Sequence, residues 1–413
     1  MEATIRVLTI ITSVLGTGLT LWSIYYLITG LMSLKKTENY PQVPASTRFA
    51  VLIAARNEQQ VIGSLVESLR EQAYPKELYD IWVIPNQCSD DTATVARAAG
   101  AKVLECTVPV KSKGDVMEFA YEKLSVLGYD AYCVFDADNV AEEHFLMEMN
   151  NAYQSGVRVA QGYRDSKNPY DTGVSGSYSI YYWMMNRFHN QGKAAMGLSA
   201  MLNGTGFMVA SSVFEQLGGW HTKTISEDLE LSVLCTLAGE KIYWVPKAIT
   251  YDEQPLTYEV SVKQRKRWTS GTLQVVEHYL GQLFGRGDGA SLDLIATMLI
   301  PTYQVLAVVN LLLSVLLWGM LIGGRFAVLV GVGVLICNLA FTLFLSLCSG
   351  IGVLLLEKKW NRNLWKGLVM YGLFLLSWVP ITIGCHIKKT TVWEEIRHTC
   401  TMTTKKRTIA VRY

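Results

Sequence analysis

Charge is what this sequence has least of. Only 17% of its 413 residues are Asp, Glu, Lys or Arg, against 50% hydrophobic. That is too apolar for an ordinary soluble enzyme, although the middle third has normal polarity. The contrast predicts a soluble domain set between membrane segments. A bias of sign is also lacking: 37 basic and 35 acidic residues nearly cancel, so net charge points to no partner and nucleic acid is not among those expected. The basic excess is local, at 263–267 and in the C-terminal tail. The eight cysteines form no C-x-x-C pair and no metal-ligand spacing, and Cys235, Cys337 and Cys348 lie inside apolar runs. Reduced, buried thiols follow, with neither a disulfide nor a structural zinc expected. No small-x-small cleavage site follows the first apolar run, and no additional regulatory domain is visible.

That first run, 7–34, exceeds the roughly 20 residues that span a bilayer, so it reads as a membrane helix. Lys35 and Lys36 follow it against a single Arg6 before it, so the positive-inside rule puts the downstream domain in the cytoplasm. Runs 292–321 and 326–356 are each long enough to span, joined at Gly323, Gly324 and Arg325. A further run, 364–387, contains Pro380 and is flanked by Lys358, Lys359 and Arg362 on one side and Lys388 and Lys389 on the other. Spanning would export a basic tail. Three spans are therefore expected, with 364–387 as a broken interfacial or re-entrant helix; a fourth span is the alternative. The division is 1–36 membrane helix, 48–255 soluble domain, 256–290 amphipathic interfacial region, 291–356 two membrane helices, 357–390 interfacial segment and 391–413 cytoplasmic tail.

Within 48–255, strand and helix signals alternate: strands at 49–54, 81–84 and 103–104, helices at 59–71 and 93–99. Apolar strands alternating with amphipathic helices predict an α/β domain with a mostly parallel sheet covered on both faces. Ligands of such sheets bind at the carboxyl ends of the strands. The polar residues after each strand, 55–58, 86–91 and 136–138, should therefore converge on one crevice.

Ala131 to Asn139 reads Ala-Tyr-Cys-Val-Phe-Asp-Ala-Asp-Asn, an apolar strand ending in two acids spaced i, i+2. Asp136 and Asp138 suit a divalent cation that also takes substrate phosphates. Taken alone, the pair reads first as solvated acids capping a strand. Asn203-Gly204-Thr205-Gly206 is a turn that lets backbone approach a ligand; its match to the N-glycosylation pattern has no meaning in the cytoplasm. Glu227 and Asp228 open a helical run, where capping is the competing reading. Gln264, Arg265, Lys266, Arg267 and Trp268 form a basic cluster open to snorkelling, a solvated face or a site.

In order, Ala54-Ala55-Arg56-Asn57-Glu58, Cys88-Ser89-Asp90-Asp91-Thr92, Lys113-Gly114, Asp136-Ala137-Asp138, Ser226-Glu227-Asp228 and Gln264-x-x-Arg267-Trp268 resemble the family 2 membrane glycosyltransferases, which include cellulose, chitin, hyaluronan and poly-N-acetylglucosamine synthases. The resemblance implies a GT-A fold and inverting transfer from a nucleotide-diphosphate sugar. It implies that Ala54, Arg56, Glu58 and Asn86 line the nucleotide pocket, that Asp136 contacts nucleoside or diphosphate, and that Lys113 lies near the phosphates. Asp138 would hold Mg²⁺ or Mn²⁺. Asp228 would be the general base with Glu227 beside it. Asn203, Gly204, Thr205 and Gly206 would border the acceptor. Gln264, Arg267 and Trp268 would hold the diphosphate and the acceptor sugar, and Trp393 and Arg397 resemble the family's gating loop. The chemistry suits these roles: a metal ion and an Arg stabilise the leaving phosphate, a carboxylate takes the hydroxyl proton, and a flat indole stacks under a sugar ring. Many relatives carry an acid where this chain has Asn86, so the base is not fixed, and Ser226 replaces a common Thr.

The expected activity is transfer from a UDP-sugar to a growing polysaccharide, processive and coupled to secretion. The alternatives are transfer of one sugar to a lipid carrier and, remotely, a catalytically silent nucleotide-sugar-binding scaffold. Expected partners are a nucleotide sugar, a glycan or lipid-linked acceptor and membrane lipids; with so few spans, a homodimeric channel stays open. The expected location is a bacterial cell membrane, multi-pass, with the catalytic domain inside.

Overall fold

The computed structural model describes residues 2–36 and 39–388; Trp393 and Arg397 lie outside the described residues. An N-terminal helix, α1 (Glu2–Met32), precedes a domain with strands β1 (Phe49–Ala55), β2 (Tyr79–Pro85), β3 (Lys102–Val103), β4 (Ala131–Asp136), β5 (Val140–Ala141), β6 (Val159–Ser166), β7 (Phe207–Ala210) and β8 (Ile242–Asp252). Its helices are α2 (Ile62–Arg70), α3 (Thr92–Ala99), α4 (Lys113–Leu124), α5 (Phe145–Gln154), α6 (Gly173–Met184), α7 (Gly192–Ala195), α8 (Ser211–Leu217) and α9 (Glu227–Ala238). Then come α10 (Tyr258–Arg286), α11 (Gly289–Met298), α12 (Ile300–Ile322), α13 (Gly324–Leu356), α14 (Trp365–Leu376) and α15 (Trp378–Ile387).

The strands form one mixed sheet in the order β3-β2-β1-β4-β7-β6-β8-β5. The β1–β2, β1–β4, β2–β3 and β6–β8 ladders are parallel, and the β4–β7, β6–β7 and β5–β8 ladders antiparallel. β1 is buried on both faces because alternate side chains pack on opposite helix layers. Phe49, Val51 and Ile53 meet Ile62 and Leu65 of α2 and Phe145 of α5. Ala50 and Leu52 join the layer holding Val116 and Met117 of α4 and Phe214 of α8. From β1 the chain first winds outward to β2 and β3, then returns to place β4 on its other side. The strand order therefore reverses between β1 and β4, where an α/β sheet opens a crevice at its carboxyl edge. Ala54 and Asp136 are register partners at that edge.

Helices α1, α12, α13 and the segment Arg362–Ile387 are long and apolar enough to cross a membrane. One sequence expectation needs adjustment here. The run 292–321 is not one helix: α11 ends at Met298 and α12 begins at Ile300, with Leu299 between them, because Pro301 has no N–H to give to the Thr297 carbonyl. At 10 residues α11 is too short to span, and its Asp293 is buried and accepts from Lys193 Nζ at 3.0 Å. The segment 362–387 is broken as expected, at Ser377, three residues before Pro380.

The break is held by the basic cluster. Arg265, wholly buried on α10, donates to the Phe374 carbonyl at 2.9 Å and to Ser377 Oγ at 2.7 Å, and lies over the Phe374 ring. It thus supplies donors to a helix end that has lost its own. α14 in turn crosses α6 backbone to backbone: a Cβ on Gly367 would stand 2.6 Å from Gly176 Cα. Segment 362–387 is one-third buried, whereas the apolar windows of the other three are 0–6% buried.

Candidate active site

At the carboxyl edge, one cavity of about 400 Å³ opens between the sheet and the start of the apolar helices. The three loops expected to converge do so. Ala54, Arg56 and Glu58 after β1, Asn86 after β2, and Asp136 and Asp138 after β4 all line it. Lys113, Asn203, Gly204, Glu227, Asp228, Gln264, Arg267 and Trp268 line it too. Thr205 and Gly206 do not; they stand behind the wall. Thr205 Oγ1 accepts from the Asp136 N–H at 3.1 Å and bonds Asn139, while the Gly206 N–H donates to the Val134 carbonyl at 2.8 Å. Their part is to fix the strand tip rather than to touch a ligand.

Local sequence explains how the charged groups arrive. Ser112 and Asp115 form a capping box that starts α4, so Lys113 projects from its first turn. A Cβ on Gly114 would come within 2.2 Å of Thr222 Oγ1 and 3.4 Å of Glu227 Cβ, so only glycine lets α4 approach the start of α9 this closely. Gly271 does the same for α10, where a Cβ would meet Ser226 Oγ at 2.0 Å. Lys113 Nζ then lies 2.5 Å from Asp136 Oδ1 and 3.6 Å from Glu227 Oε1, and donates to the Gly204 carbonyl at 2.7 Å.

Burial and charge set the ionisation of this group. Burial alone would raise the Asp136 carboxyl, but Lys113 and Arg164 outweigh it and hold the group below its ordinary value. Burial likewise works against the Lys113 ammonium, yet Asp136 and Glu227 raise it. Glu227 is pushed up to about 7 by burial, with Lys113 opposing and Asp228 adding to the rise. Asp228 is raised, again chiefly by burial. The site therefore holds one firmly ionised carboxylate beside a carboxyl pair of weakened acidity.

Asp138 is 5% exposed and faces the same cavity. Asn139 Nδ2 donates to it at 3.4 Å and to Asp252 Oδ1 at 3.0 Å, so a second carboxylate lies close by. A hard carboxylate at an open cavity wall fits Mg²⁺ or Mn²⁺, which keep positions for substrate phosphates. At the β1–β2 end of the cavity, Asn86 Oδ1 accepts from Arg56 Nε at 2.8 Å while its Nδ2 donates to the Ala55 carbonyl at 3.0 Å. The amide is thus clamped at both ends.

Sequence reading missed several wall residues. Arg164 of β6 donates to Asp252 of β8 from Nε at 2.9 Å and to the Asn203 carbonyl at 2.8 Å, and lies over the Tyr182 ring. Asp252 is pushed up to about 6 by burial, with Arg164 opposing. Tyr181, Tyr182, Gln304 and Trp378 complete the far wall. The Tyr182 ring stands edge-on to Trp268 at 6.3 Å. α6 runs through a π-helical stretch, Met185–Gln191, at this wall, an irregularity common at functional sites.

The chain is similar to known proteins over more than half of its length. "Probable glycosyltransferase YdaM" of Bacillus subtilis is 28% identical over 60% of this chain and 60% of its own length. "Beta-monoglucosyldiacylglycerol synthase" of Trichormus variabilis is 25% identical over 54% of this chain and 49% of its own. The matches thus span about half to three-fifths of those relatives. The fold matches mannosyltransferase PcManGT from Pyrobaculum calidifontis, solved in complex with GDP-Man and Mn²⁺, with a TM-score of 0.61 over 92% of this chain and 99% of that one, at 15% identity. The GT-A fold expected from the motifs is therefore present. Residues 44–271, more than half of the chain, match the family described as Glycosyltransferase like family 2, and this protein belongs to that family.

Proposed function

We propose that this protein transfers a sugar, with inversion, from a nucleotide-diphosphate sugar to a hydroxyl of a lipid-linked acceptor at the cytoplasmic face of a membrane. One observation carries the acceptor class: the cavity that holds Asp136 and Asp228 continues to Met298, Ile300 and Pro301, where α12 begins. An amphiphile can thus set its polar end at the carboxylates while its apolar body leaves along membrane helices.

In this reading the nucleoside lies against Arg56 and Asn86, and the diphosphate between Asp136, Lys113 and Arg267. Asp138 would hold Mg²⁺ or Mn²⁺, which neutralises charge developing on the departing diphosphate. Asp228 takes the proton of the attacking hydroxyl, and one such base suffices because no covalent sugar intermediate forms. Lys113 keeps Asp136 ionised and aligned with the Gly204 turn. Trp268 offers a face to a sugar ring. The Mn²⁺ and GDP-Man held by PcManGT support the donor and metal classes, and the diacylglycerol product named for the Trichormus relative supports the acceptor class.

The membrane arrangement we infer has three spans, α1, α12 and α13, with α14 and α15 at the cytoplasmic interface. Its support is that α14 packs on α6 of the soluble domain and α15 on α10 through Trp378 Nε1 and Thr269 Oγ1 at 3.3 Å. Extension of a glycan is a second reading, supported by the aromatic wall of Tyr181, Tyr182 and Trp268.

The test is purified protein in vesicles, a panel of UDP-sugars with Mn²⁺, and sizing of products. One sugar on an extractable lipid supports the first reading, and a ladder of long chains the second. Asp228→Asn should abolish transfer by ~10²–10⁴-fold while nucleotide binding persists. Normal turnover by that variant removes Asp228 from the base role.

A further inference from the structure

The loop that leads into α9 is gripped residue by residue. Glu230, wholly buried, accepts from the Lys223 N–H at 2.8 Å and the Thr224 N–H at 2.7 Å, both on Oε2. The following N–H, of Ile225, donates to Gln274 Oε1 of α10 at 3.2 Å. Tyr279, further along α10, donates its hydroxyl to Glu230 Oε1 at 2.6 Å. One carboxylate oxygen thus holds the loop and the other holds α10. Asp228, two residues before Glu230, points the other way: it lines the cavity, whereas Glu230, Gln274 and Tyr279 do not. An acid in the first turn of a helix is ordinarily explained by the helix dipole, and Glu227, Asp228 and Glu230 all lie there. The dipole does not explain why Glu230 is shut away from water with a phenol and two N–H groups of the preceding loop as its partners. Tyr279 belongs to the apolar seam of Val233, Val275 and Leu283 between α9 and α10. A carboxylate there is costly, so packing alone would favour an apolar pair.

We propose that Glu230 and Tyr279 are positioning residues for the base: they lock the 223–226 loop to α10, so that Asp228 and the cavity face of α10 are held as one body. The inference rests on the reading of Asp228 as the proton acceptor. Gln264, Arg267 and Trp268, which line the cavity, lie on the same helix as Gln274 and Tyr279. One rigid element therefore sets both the groups proposed for the diphosphate and the group proposed for the proton. The first turn of a helix leaves its own N–H groups without intrahelical partners, and Asp228 sits in that turn. The loop before it consequently decides where the carboxylate stands. A displacement of ~1 Å at a reacting group costs ~10²-fold in rate. Neither Glu230 nor Tyr279 touches the reacting atoms; both act through the loop.

The experiment uses the full chain in vesicles of bacterial lipid with the preferred sugar donor and Mn²⁺. It reads the single-turnover rate, which isolates the chemical step, beside the donor KM and the melting temperature. Tyr279→Phe removes one hydroxyl and keeps the packing. It is expected to slow transfer ~10-fold, the order lost with one hydrogen bond to a charged group, with the donor KM within ~2-fold. Val233→Ala opens a cavity in the same α9–α10 seam and leaves the bridge intact. It should lower the melting temperature at least as much and leave the single-turnover rate within ~2-fold. Glu230→Gln keeps an acceptor for the loop, so its rate should fall between those of wild type and Glu230→Leu; where Glu230→Leu yields no folded protein, Tyr279→Phe carries the comparison. Amide exchange across 223–226 should quicken in Tyr279→Phe and not in Val233→Ala. A Tyr279→Phe rate within ~2-fold of wild type, or an equal slowing by Val233→Ala, overturns the proposal while Asp228→Asn stays inactive. Normal turnover by Asp228→Asn removes the base reading itself, and this inference with it.

Discussion

Lys113 Nζ stands 2.5 Å from Asp136 and 3.6 Å from Glu227, so a single ammonium ties the proposed phosphate side of the site to its proposed proton-transfer side. Lys113→Met keeps most of the stem and removes the charge. Breaking a buried pair leaves the partner uncompensated, at ~3 kcal/mol or more. The expected result is a fall of ~10²–10³-fold in kcat/KM, measured as transfer to the preferred acceptor. Lys113→Arg should recover part of it, because charge returns without the same reach. A Lys113→Met variant within a few fold of wild type removes this bridge from the mechanism.

The same geometry fixes a pH dependence. Asp228 must be ionised to take a proton, and burial raises its value, as it raises Glu227 to about 7. Transfer should therefore fall as pH falls, on a limb of kcat/KM lying above the ordinary Asp range. Lys113 opposes the rise in both carboxyls, so Lys113→Met should move the limb to higher pH. A profile flat down to the ordinary Asp value excludes Asp228 as base.

Much of this site is visible in the chain itself, for a physical reason. Residues that follow apolar strands of a parallel sheet share one edge, so Arg56, Asn86, Asp136 and Asp138 can be grouped from local pattern alone. Arg164 and Asp252 could not, because their pairing depends on β6 and β8 lying side by side, 88 residues apart in sequence. The cluster 263–268 gives the same lesson within one helix. Gln264 and Arg267 line the cavity, Lys263 and Lys266 are exposed, and Arg265 is fully buried. Nothing local distinguishes Arg265 from its neighbours, since its partners Phe374 and Ser377 are 109 and 112 residues away. Pro301 did carry a signal, but hydrophobicity around it hid the helix boundary.

Gly204 is where a side chain on the Asn203–Gly206 turn would meet both carboxylates. Its φ is +80°, and a Cβ there would lie 3.4 Å from Asp228 Oδ2 and 3.8 Å from Asp136 Oδ2. Gly204→Ala should cost ~1–2 kcal/mol of backbone strain. It should also crowd the space where the attacking hydroxyl meets its base. A kcat reduced ~10-fold or more, with a donor KM much less affected, is the expected split, because a misplaced base weakens the transition state more than donor binding. A change confined to melting temperature with kcat intact indicates strain alone.

Arg265 gives the clearest separation of structure from chemistry. Its guanidinium donates to the Phe374 carbonyl and Ser377 Oγ at the break between α14 and α15, and Leu375 and Trp378 on either side of that break are cavity wall. Arg265→Leu keeps an apolar body under the Phe374 ring but removes two hydrogen bonds at the break, leaving the Phe374 carbonyl only its bond from Ser377 Oγ at 2.7 Å, at ~0.5–1.5 kcal/mol each. Melting temperature in lipid or detergent should fall, and the acceptor KM should rise as the wall loosens, with the donor KM unchanged because the nucleotide end is built on β1, β2 and β4. Arg265→Lys should restore the charge but only one donor direction, giving an intermediate melting temperature. Lys266→Ala, one residue along and exposed, should leave both measurements alone. If Arg265→Leu melts like wild type, the helix break does not need the guanidinium, and the anchoring of α14 and α15 must rest on the Gly176–Gly367 crossing instead.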